Sequence, residues 1–332
     1  MRALHVTKRQ KPVLCVLFCL LAFLGCSSDS KPSTGDPSST QVAVQLNWYP
    51  ESEHGGLYQA LSDGTYAADQ LDVVLRPGGR ATQIATELAL GRCEFAIANA
   101  DDVIIANQEG LDIVAVMAAM QDHPRCIMVR DDSGVAGFED LRGKTFQRGD
   151  RAYVEFLRSR GFLEGVKEVP YHGSIASLVA DPEIVIQAYC CAEPLLAKQQ
   201  GVAVKTLMVS ELGFNPYSSV LVTSKKVLEE RPEMVRQFVK ATRVGWRNYL
   251  ADGKSGNAAI LEANDHGMTA EALQFGSEAM RELAMPEGVT AESVGMMSDE
   301  RWQSLFDQMA ELDLVDPEEV NAADCYTLDF LD

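Results

Sequence analysis

Three side chains suited to binding a flat ligand follow a short strand-like segment near the start of the chain. Residues 41–46 alternate between polar or small and apolar side chains, which indicates a half-buried strand, and Pro50 prevents that strand from continuing. Asn47, Trp48 and Tyr49 then lie at the carboxyl end of the strand, the edge at which α/β sheets bind ligands. An amide, an indole and a phenol there would form a flat, partly polar slot. The alternative is that the two rings cap the core and that Asn47 makes a turn.

Two further strand-to-helix junctions carry polar side chains. Asn99 and Asp101 follow the short apolar segment 95–98, and Glu193 follows the segment 184–189. Each is a candidate ligand contact, because side chains and helix N-termini line the crevice beyond the strands. Each also has a structural alternative, since polar and acidic residues at the start of a helix cap it and stabilise its dipole.

The start of the first helix and two tyrosines complete the candidate contacts. His54 precedes a glycine pair that begins at Gly55, where the lack of side chains lets backbone amides approach a ligand. Tyr153 begins a predicted helix, and Tyr217 comes just before an expected return crossing at 218–223. The predicted ligand-binding set is therefore Asn47, Trp48, Tyr49, His54, Gly55, Asn99, Asp101, Tyr153, Glu193 and Tyr217.

Several motifs together resemble one known family. They are Asn47-Trp48, Glu53-His54-Gly55-Gly56 and the segments 91–97 and 99–103. With a match from about residue 42 to residue 251, the chain resembles the thiamine-pyrimidine-precursor (NMT1/THI5-like) family of substrate-binding proteins. The resemblance implies an α/β fold of the periplasmic-binding-protein type (type II), in which two lobes with parallel-rich mixed sheets, joined by a two-segment hinge, close on a small ligand. It also implies an ABC importer, whose permease and ATPase would be partners.

The order of the predicted elements divides the chain into two lobes. Two β-α-β runs favour parallel-rich sheets with covering helices. These runs are separated by a charged, turn-like segment at 130–134 and by the segment 218–223. We expect lobe one to comprise 41–128 plus 221–332 and lobe two to comprise 129–220.

The first forty residues predict export and a membrane anchor. Segment 1–25 carries cations before a short apolar run, as a signal peptide does. Residues 23–26 resemble a bacterial lipobox in which Cys26 would be acylated, although Phe23 departs from the usual aliphatic residue and leaves general signal peptidase as the alternative. Segment 26–40 is rich in Ser, Pro and Gly and predicts a flexible tether. We expect a membrane-anchored lipoprotein of the cell envelope that faces the periplasm or the cell exterior.

Charge and cysteine content bear on the possible partners. The formal net charge is −19, and loss of the four leader cations Arg2, Lys8, Arg9 and Lys11 would make it −19 − 4 = −23. Such an acidic body repels nucleic acid and anionic membrane surfaces. Five cysteines follow Cys26, and an odd number in an exported protein leaves at least one free thiol or an intermolecular bond. The cysteine and histidine spacings predict no metal site, and we expect a monomer.

An enzymatic role must be weighed, because a fungal pyrimidine synthase of the resembled family carries out chemistry on this scaffold. It uses a lysine and a histidine near one strand-to-helix junction and a cysteine-rich patch. The corresponding positions here are Ala98, Asp102 and the segment 214–218, which contains no cysteine. None of them can form a Schiff base or act as a general base near neutral pH. We therefore predict no catalytic residue, no cofactor and no enzymatic activity.

Three ligands are compatible with the resemblance. The preferred one is a thiamine-related aminopyrimidine precursor, a small heteroaromatic molecule. Trp48 would stack on its ring, and the Glu193 carboxylate would accept the N–H of its amine. Riboflavin is the first alternative, because relatives in the resembled family bind it. An alkanesulfonate or a similar anion is the second alternative.

Overall fold

Two five-stranded β-sheets organise residues 39–331, the part of the chain that the computed structural model describes. The strands are β1 (Thr40–Gln45), β2 (Leu71–Arg76), β3 (Phe95–Ala98), β4 (Ile113–Met120), β5 (Arg125–Arg130), β6 (Thr145–Arg148), β7 (Lys167–Pro170), β8 (Ile184–Tyr189), β9 (Val204–Met208) and β10 (Ser218–Ser224). The predicted leader 1–25, the lipidation site Cys26 and nearly all of the tether 26–40 lie outside the described residues. They stay predictions.

The first sheet has the strand order β2-β1-β3-β10-β4. Strand β1 pairs in parallel with β2 and β3, whereas β10 runs antiparallel between β3 and β4. Val42 and Val44 are buried and Gln41 is exposed, as the alternating pattern predicts for a strand with one face in the core.

The second sheet has the strand order β7-β6-β8-β5-β9. Strand β6 pairs in parallel with β7 and β8, and β5 pairs antiparallel with β8 and β9. Two such mixed sheets with connecting helices confirm the predicted α/β fold class.

The chain changes sheets at 121–124 and again at 209–217, several residues away from the predicted positions. Strand β5 begins at Arg125 in the second sheet and ends at Arg130, so the segment 130–134 comes after the chain has changed sheets and is not the first crossing. The predicted return crossing at 218–223 is wrong, because these residues form the buried strand β10 inside the first sheet. Turn-like residues mark the end of a strand but do not show which sheet it has joined. The division into two lobes as such stays a prediction.

Helices connect and flank the strands. They are α1 (Gly55–Ser62), α2 (Thr65–Ala68), α3 (Ile84–Ala89), α4 (Ala100–Gln108), α5 (Ala152–Ser159), α6 (Ala176–Ala180), α7 (Glu193–Gln199), α8 (Lys225–Glu230), α9 (Pro232–Ala251), α10 (Lys254–Ala263), α11 (Ala270–Ala284) and α12 (Asp299–Glu311). The apolar face that the sequence predicts for α9 is buried, namely Val235, Phe238, Val239, Thr242 and Trp246. Within residues 39–331, no helix is both long and apolar enough to cross a membrane.

Two glycines let α1 pack directly on α9. A Cβ atom at Gly55 would lie 2.1 Å from the Tyr249 ring, and a Cβ atom at Gly56 would lie 2.2 Å from the Trp246 ring. Both distances are shorter than a van der Waals contact, so any larger residue forces the two helices apart. This close packing fixes the start of α1 and with it the loop that follows β1.

All five cysteines in the described part of the chain are free thiols: Cys93, Cys126, Cys190, Cys191 and Cys325. Burial raises the pKa of Cys93 to about 11 and the pKa of Cys190 to about 12. Both are therefore neutral near pH 7 and pack as small apolar side chains.

Candidate functional site

Contacts between residues that follow strands of the two sheets bring the predicted strand-to-helix junctions face to face. Arg151, just before α5, donates to Asp102 in the first turn of α4, with 2.8 Å between Nη1 and Oδ1. Arg80, after β2, donates to the carbonyl oxygen of His172, after β7, over 2.6 Å. The carboxyl ends of β1, β2 and β3 therefore lie opposite those of β6, β7 and β8. We call the space between these two sets of strand ends the cleft.

Asn47 and His54 form a hydrogen-bonded pair on the first-sheet side of the cleft. His54 Nε2 and Asn47 Oδ1 are 2.9 Å apart. Burial lowers the pKa of His54 to about 3, so its imidazole is neutral. Because Nδ1 accepts from the Glu51 N–H at 3.4 Å, the ring proton is on Nε2 and donates to Asn47. Among residues 39–331, no acceptor contacts the Asn47 side-chain nitrogen, whose N–H groups can donate to a ligand.

Trp48 and Tyr49 lie next to each other, but their surroundings differ. Their ring centroids are 5.2 Å apart with an interplanar angle of 61°, an edge-to-face contact. Tyr49 also stacks on His266, with centroids 3.7 Å apart and an angle of 22°. Within the described chain Trp48 is not stacked on any other ring, and its carbonyl oxygen accepts from the Gly78 N–H at 2.9 Å. Trp48 is therefore better placed than Tyr49 to offer a ring face, and both ligand contacts stay predictions.

Two polar side chains at the start of α4, Asn99 and Asp101, differ in their hydrogen bonding. Asn99 Oδ1 accepts from Ser218 Oγ at 2.8 Å, and Asn99 Nδ2 donates to Asp102 at 3.3 Å. Asp101 is only 8% exposed, and its Oδ1 has no hydrogen-bond partner among residues 39–331. Burial, with a further contribution from Asp102, raises the pKa of Asp101 to about 7. An unpaired buried acceptor is unfavourable, and a ligand N–H or O–H would satisfy it.

Arg125, the first residue of β5, extends its side chain toward the same region. Its guanidinium carbon lies 4.2 Å from the centroid of the Tyr189 ring and 5.3 Å from that of Tyr153. Tyr189 is its cross-strand neighbour on β8, and Tyr153 is in the first turn of α5. Burial alone would lower the pKa of Arg125, but the two tyrosines and Glu193 outweigh it and raise that pKa. The guanidinium is therefore a permanent cation.

Glu193 begins α7, and part of the hydrogen-bonding capacity of its carboxylate is already used within the protein. Its Oε2 accepts from the Tyr189 N–H at 2.8 Å, which agrees with the alternative role of an acid at a helix start. Burial raises the pKa of Glu193, although hydrogen bonds and the nearby Arg125 oppose the shift. A carboxylate can accept about four hydrogen bonds. Glu193 thus retains acceptor capacity, and its contact with a ligand stays a prediction.

Two glutamates that the sequence pattern did not indicate add carboxyl groups beside Glu193. Burial raises the pKa of Glu51 well above its ordinary value, and its interactions with Glu53 and Glu193 reinforce the shift. Burial raises the pKa of Glu53 as well, whereas a hydrogen bond from Glu51 opposes that rise. A proton shared between the Glu51 and Glu53 carboxyl groups would relieve the repulsion between them. In the region 39–331, no group of three or more His, Cys, Asp or Glu side chains is arranged to hold a metal ion.

Two of the predicted contacts have packing roles on the first-sheet side. Gly55 lies against the Tyr249 ring. The Tyr217 hydroxyl accepts from the Ser298 N–H at 3.1 Å, and the Arg301 guanidinium lies 4.0 Å from the centre of the Tyr217 ring. These contacts explain why a glycine and a tyrosine occupy the two positions. Ligand contacts through Gly55 and Tyr217 stay predictions.

Sequence comparison identifies the family. Residues 51–254, more than half of the chain, match the family described as NMT1/THI5 like. The chain belongs to the NMT1/THI5-like family. The matched region begins at Glu51 and includes Asp101, Arg125 and Glu193.

Two proteins similar to this NMT1/THI5-like chain bind small molecules according to their names. The riboflavin-binding protein of Chloroflexus aurantiacus is 27% identical over 227 residues, which cover 65% of this chain and 64% of that protein. The match thus spans slightly less than two thirds of that relative. The formylaminopyrimidine-binding protein of Halalkalibacterium halodurans is 22% identical over 243 residues, or 70% of this chain and 73% of that protein.

Solved structures share the fold of this NMT1/THI5-like chain. The periplasmic aliphatic sulphonate binding protein SsuA from Escherichia coli superimposes with a TM-score of 0.64 and 15% sequence identity. The superposition covers 87% of this chain and 92% of that protein. At this level of identity the likeness establishes the periplasmic-binding-protein fold alone.

Sequence reasoning missed several residues of this NMT1/THI5-like cleft. Arg125 comes directly before the apolar run 126–129, and this contrast could have marked it from the sequence. Glu51 and Glu53 lie within or beside the motif that carries the family resemblance, while Tyr189 ends the predicted strand 184–189. Arg125 and Tyr189 meet because β5 pairs with β8, which no local pattern reveals.

Proposed function

We propose that this protein is the extracytoplasmic solute-binding component of an ABC importer and that it captures a flat nitrogen heteroaromatic molecule in the cleft. The supporting observation is that aromatic and charged side chains from both sheets converge on Arg125. Tyr153 and Tyr189 lie against its guanidinium, and Glu53 and Asp101 are within its electrostatic reach. Rings of this kind stack on a planar ligand, while the charged groups bind its polar edge.

A thiamine-related aminopyrimidine precursor is the first candidate ligand. Its exocyclic amine needs an acceptor, and Glu193 has acceptor capacity left beside the cleft. Its ring nitrogens need a donor, and the Asn47 side-chain N–H groups supply one. Trp48 supplies a ring face for stacking. The similarity to a formylaminopyrimidine-binding protein supports this candidate.

Riboflavin is the second candidate, favoured by the number of carboxyl groups. Glu51, Glu53, Glu193 and Asp101 offer more acceptor oxygens than one amine requires. The hydroxyl-bearing chain of riboflavin would supply the additional donors, and the similarity to a riboflavin-binding protein supports this candidate. The carboxyl groups of this set that are ionised disfavour an alkanesulfonate, because they repel an anion.

Binding without chemical turnover is part of the proposal. Ala98, at the end of β3, has no reactive group, and Asp102 is engaged in an ion pair with Arg151 at 2.8 Å. Neither residue supplies a nucleophile or a free general base. The two curated relatives named above are binding proteins by name, which also supports this reading.

We further propose that acylated Cys26 anchors the mature protein and that a permease with its ATPase receives the ligand. Segment 26–40 would act as the tether. The variant Cys26→Ala should then move to the soluble fraction with unchanged ligand affinity. Retention of that variant in the membrane fraction would contradict a lipid anchor.

Native mass spectrometry of the purified protein tests the proposed function directly. We expect a retained flat heteroaromatic molecule at a one-to-one ratio. Calorimetry with an aminopyrimidine, riboflavin and an alkanesulfonate then ranks the candidates, and mass spectrometry after incubation shows whether each remains intact. Failure of every flat heteroaromatic to bind, or turnover of any ligand, would overturn the assignment.

A further inference from the structure

The Arg125 side chain lies at the cleft with its hydrogen-bonding capacity unused. Its guanidinium carbon is 4.2 Å from the Tyr189 ring centroid and 5.3 Å from that of Tyr153. Among residues 39–331 the guanidinium has no hydrogen-bond or ion-pair partner. A guanidinium carries five N–H donors in one plane, so stacking on rings leaves these donors available at its edges.

Asp101 provides an equally unsatisfied acceptor from the other sheet. Asp101 is 8% exposed, and its Oδ1 lacks a partner among the described residues. It belongs to α4 on the first-sheet side, whereas Arg125 begins β5 in the second sheet. The two side chains influence each other electrostatically but do not form an ion pair. A group that offers an acceptor to Arg125 and a donor to Asp101 would satisfy both.

We propose that Arg125 and Asp101 together recognise an amide group of the ligand, with Arg125 donating to the carbonyl oxygen and Asp101 Oδ1 accepting the N–H. This inference rests on the proposed binding of a flat heteroaromatic molecule. It narrows the ligand class to heteroaromatics that carry a ring lactam or an N-acylamino substituent. Arg125 and Asp101 then determine specificity within the class.

The charge around Arg125 favours a neutral amide over an anion. Glu193, Glu53 and Asp101 all interact with this arginine, so carboxyl groups outnumber it. A sulfonate or carboxylate ligand would gain Arg125, because the nearby Arg151 is already paired with Asp102, and it would face several acids. An amide carries only a partial negative charge on its oxygen and brings an N–H for the acid.

A ligand with amines and no carbonyl would leave Arg125 without a partner. An exocyclic amine matches Asp101 because it donates, but it offers nothing to a guanidinium. A protonated ring would in addition be repelled by Arg125. A carbonyl oxygen accepts two hydrogen bonds and fits the fork of a guanidinium. A bound ligand that lacks such an oxygen would exclude water from the Arg125 N–H groups and offer them no acceptor in its place.

The test compares two pairs of probes, in each of which one member carries an amide carbonyl and the other has none. One pair is 4-amino-5-aminomethyl-2-methylpyrimidine and its N-formyl derivative, and the other is phenazine and alloxazine. Calorimetry on the purified mature chain should show that, in each pair that binds, the carbonyl-bearing probe is preferred by roughly tenfold to hundredfold, the range of a charge-assisted hydrogen bond. Arg125→Gln and Asp101→Leu should each reduce this preference to less than about threefold.

Arg160→Gln is the matched control. Arg160 also stacks on an aromatic ring, 5.1 Å from the Phe156 centroid, but it lies at the far end of α5. This variant should keep the full preference. Arg125→Lys keeps the cation and loses the fork, and should lower the preference at least about threefold. If thermal unfolding shows that Arg125→Gln does not fold, Arg125→Lys decides whether the guanidinium recognises the carbonyl group.

Three outcomes separate this inference from the proposed function. Equal binding of both members of a pair by the unmodified protein overturns the amide inference and leaves heteroaromatic binding intact. If both Arg125→Gln and Arg125→Lys keep the full preference for the carbonyl-bearing probe, the amide inference is likewise overturned and heteroaromatic binding is left intact. If neither the four probes nor riboflavin binds the unmodified protein, both proposals are overturned.

Discussion

At the scale of single residues, Trp48 and Glu193 should contribute to binding in different ways. Stacking on an aromatic side chain is worth roughly 1–3 kcal/mol, so Trp48→Ala should weaken every flat ligand by about one to two decades. Glu193→Gln should weaken aminopyrimidines by a similar amount and affect flavins less. The glutamine can still accept from the Tyr189 N–H, now bonded to Glu193 Oε2 at 2.8 Å, so the loop is preserved. Calorimetry with both ligand types measures the difference.

Two other results of calorimetry on Glu193→Gln would assign a different role to this carboxylate. An aminopyrimidine affinity unchanged by Glu193→Gln would assign this carboxylate to its helix-start role alone. An equal loss for flavins and aminopyrimidines in Glu193→Gln would show that the acid acts on the cleft as a whole and not on an amine.

Asp101 should make the stability of the ligand-free protein depend on pH. Its pKa is raised from 3.8 to about 7 in the folded chain, so between about pH 4 and pH 7 the folded state binds more protons than the unfolded state. The free energy of unfolding therefore falls as pH rises through this window, by an amount on the order of 2 to 4 kcal/mol. Asp101→Asn should flatten this fall and raise the melting temperature at pH 8 more than at pH 5.

Thermal unfolding at several pH values checks the Asp101 prediction. Asp307→Asn is the control, because Asp307 is an exposed acid on α12 and its replacement should change stability by less than about 0.5 kcal/mol at each pH. Parallel pH profiles for the original protein and Asp101→Asn would show that this carboxyl is not the group responsible.

At the scale of elements, the packing of α1 on α9 supports the cleft from behind. A Cβ atom at Gly56 would lie 2.2 Å from the Trp246 ring, a fully buried side chain that cannot move aside. Gly56→Ala should therefore destabilise the protein by about 1–3 kcal/mol, as overpacking does. It should also weaken ligand binding, because α1 carries the loop with Asn47 and His54. Urea unfolding and calorimetry measure the two effects.

Ser62→Ala provides the matched helix substitution. Ser62 is the exposed last residue of α1, so an alanine there should change stability by less than about 0.5 kcal/mol. If Gly56→Ala proved as stable as Ser62→Ala, the two helices would not be held in the close contact described above.

Across the whole molecule, polar contacts between the two sides of the cleft should stabilise the ligand-bound protein for every ligand. Arg151 pairs with Asp102 at 2.8 Å, and Gln199 on α7 donates to Glu271 on α11 at 2.9 Å. Because the Arg151 side chain is 51% exposed, its pair is worth at most about 1 kcal/mol. Arg151→Gln should therefore weaken all ligands alike, by less than about fivefold, mainly through faster dissociation.

Calorimetry and stopped-flow kinetics at low and high salt distinguish closure from ligand recognition. Arg92→Gln is the control, since Arg92 forms an exposed ion pair with Glu87 at 2.9 Å away from the cleft. High salt should shrink the effect of Arg151→Gln, because an exposed pair is screened. A loss confined to one ligand class would place Arg151 in direct contact with that ligand.

The local elements and the class of fold could be predicted from sequence patterns. Strand β8 has the bounds predicted from its apolar run, and α7 begins at the predicted Glu193. The buried stripe of α9 is the predicted one. These features follow from periods of two and 3.6 residues and from proline placement, all of which act between near neighbours in the chain. The family motifs are local for the same reason.

The set of side chains that meet in the cleft could not be predicted in this way, because it depends on the packing of distant segments. Arg125 reaches Tyr189 because β5 joins the second sheet beside β8, and residues 218–223 form an inner strand of the first sheet because β10 pairs with β3 and β4. Gly55 packs against the Tyr249 ring, a contact that no local pattern indicates. The physical reason is that sheet partners and helix contacts are chosen by burial and hydrogen bonding between segments far apart in the chain, so a local pattern carries no record of them.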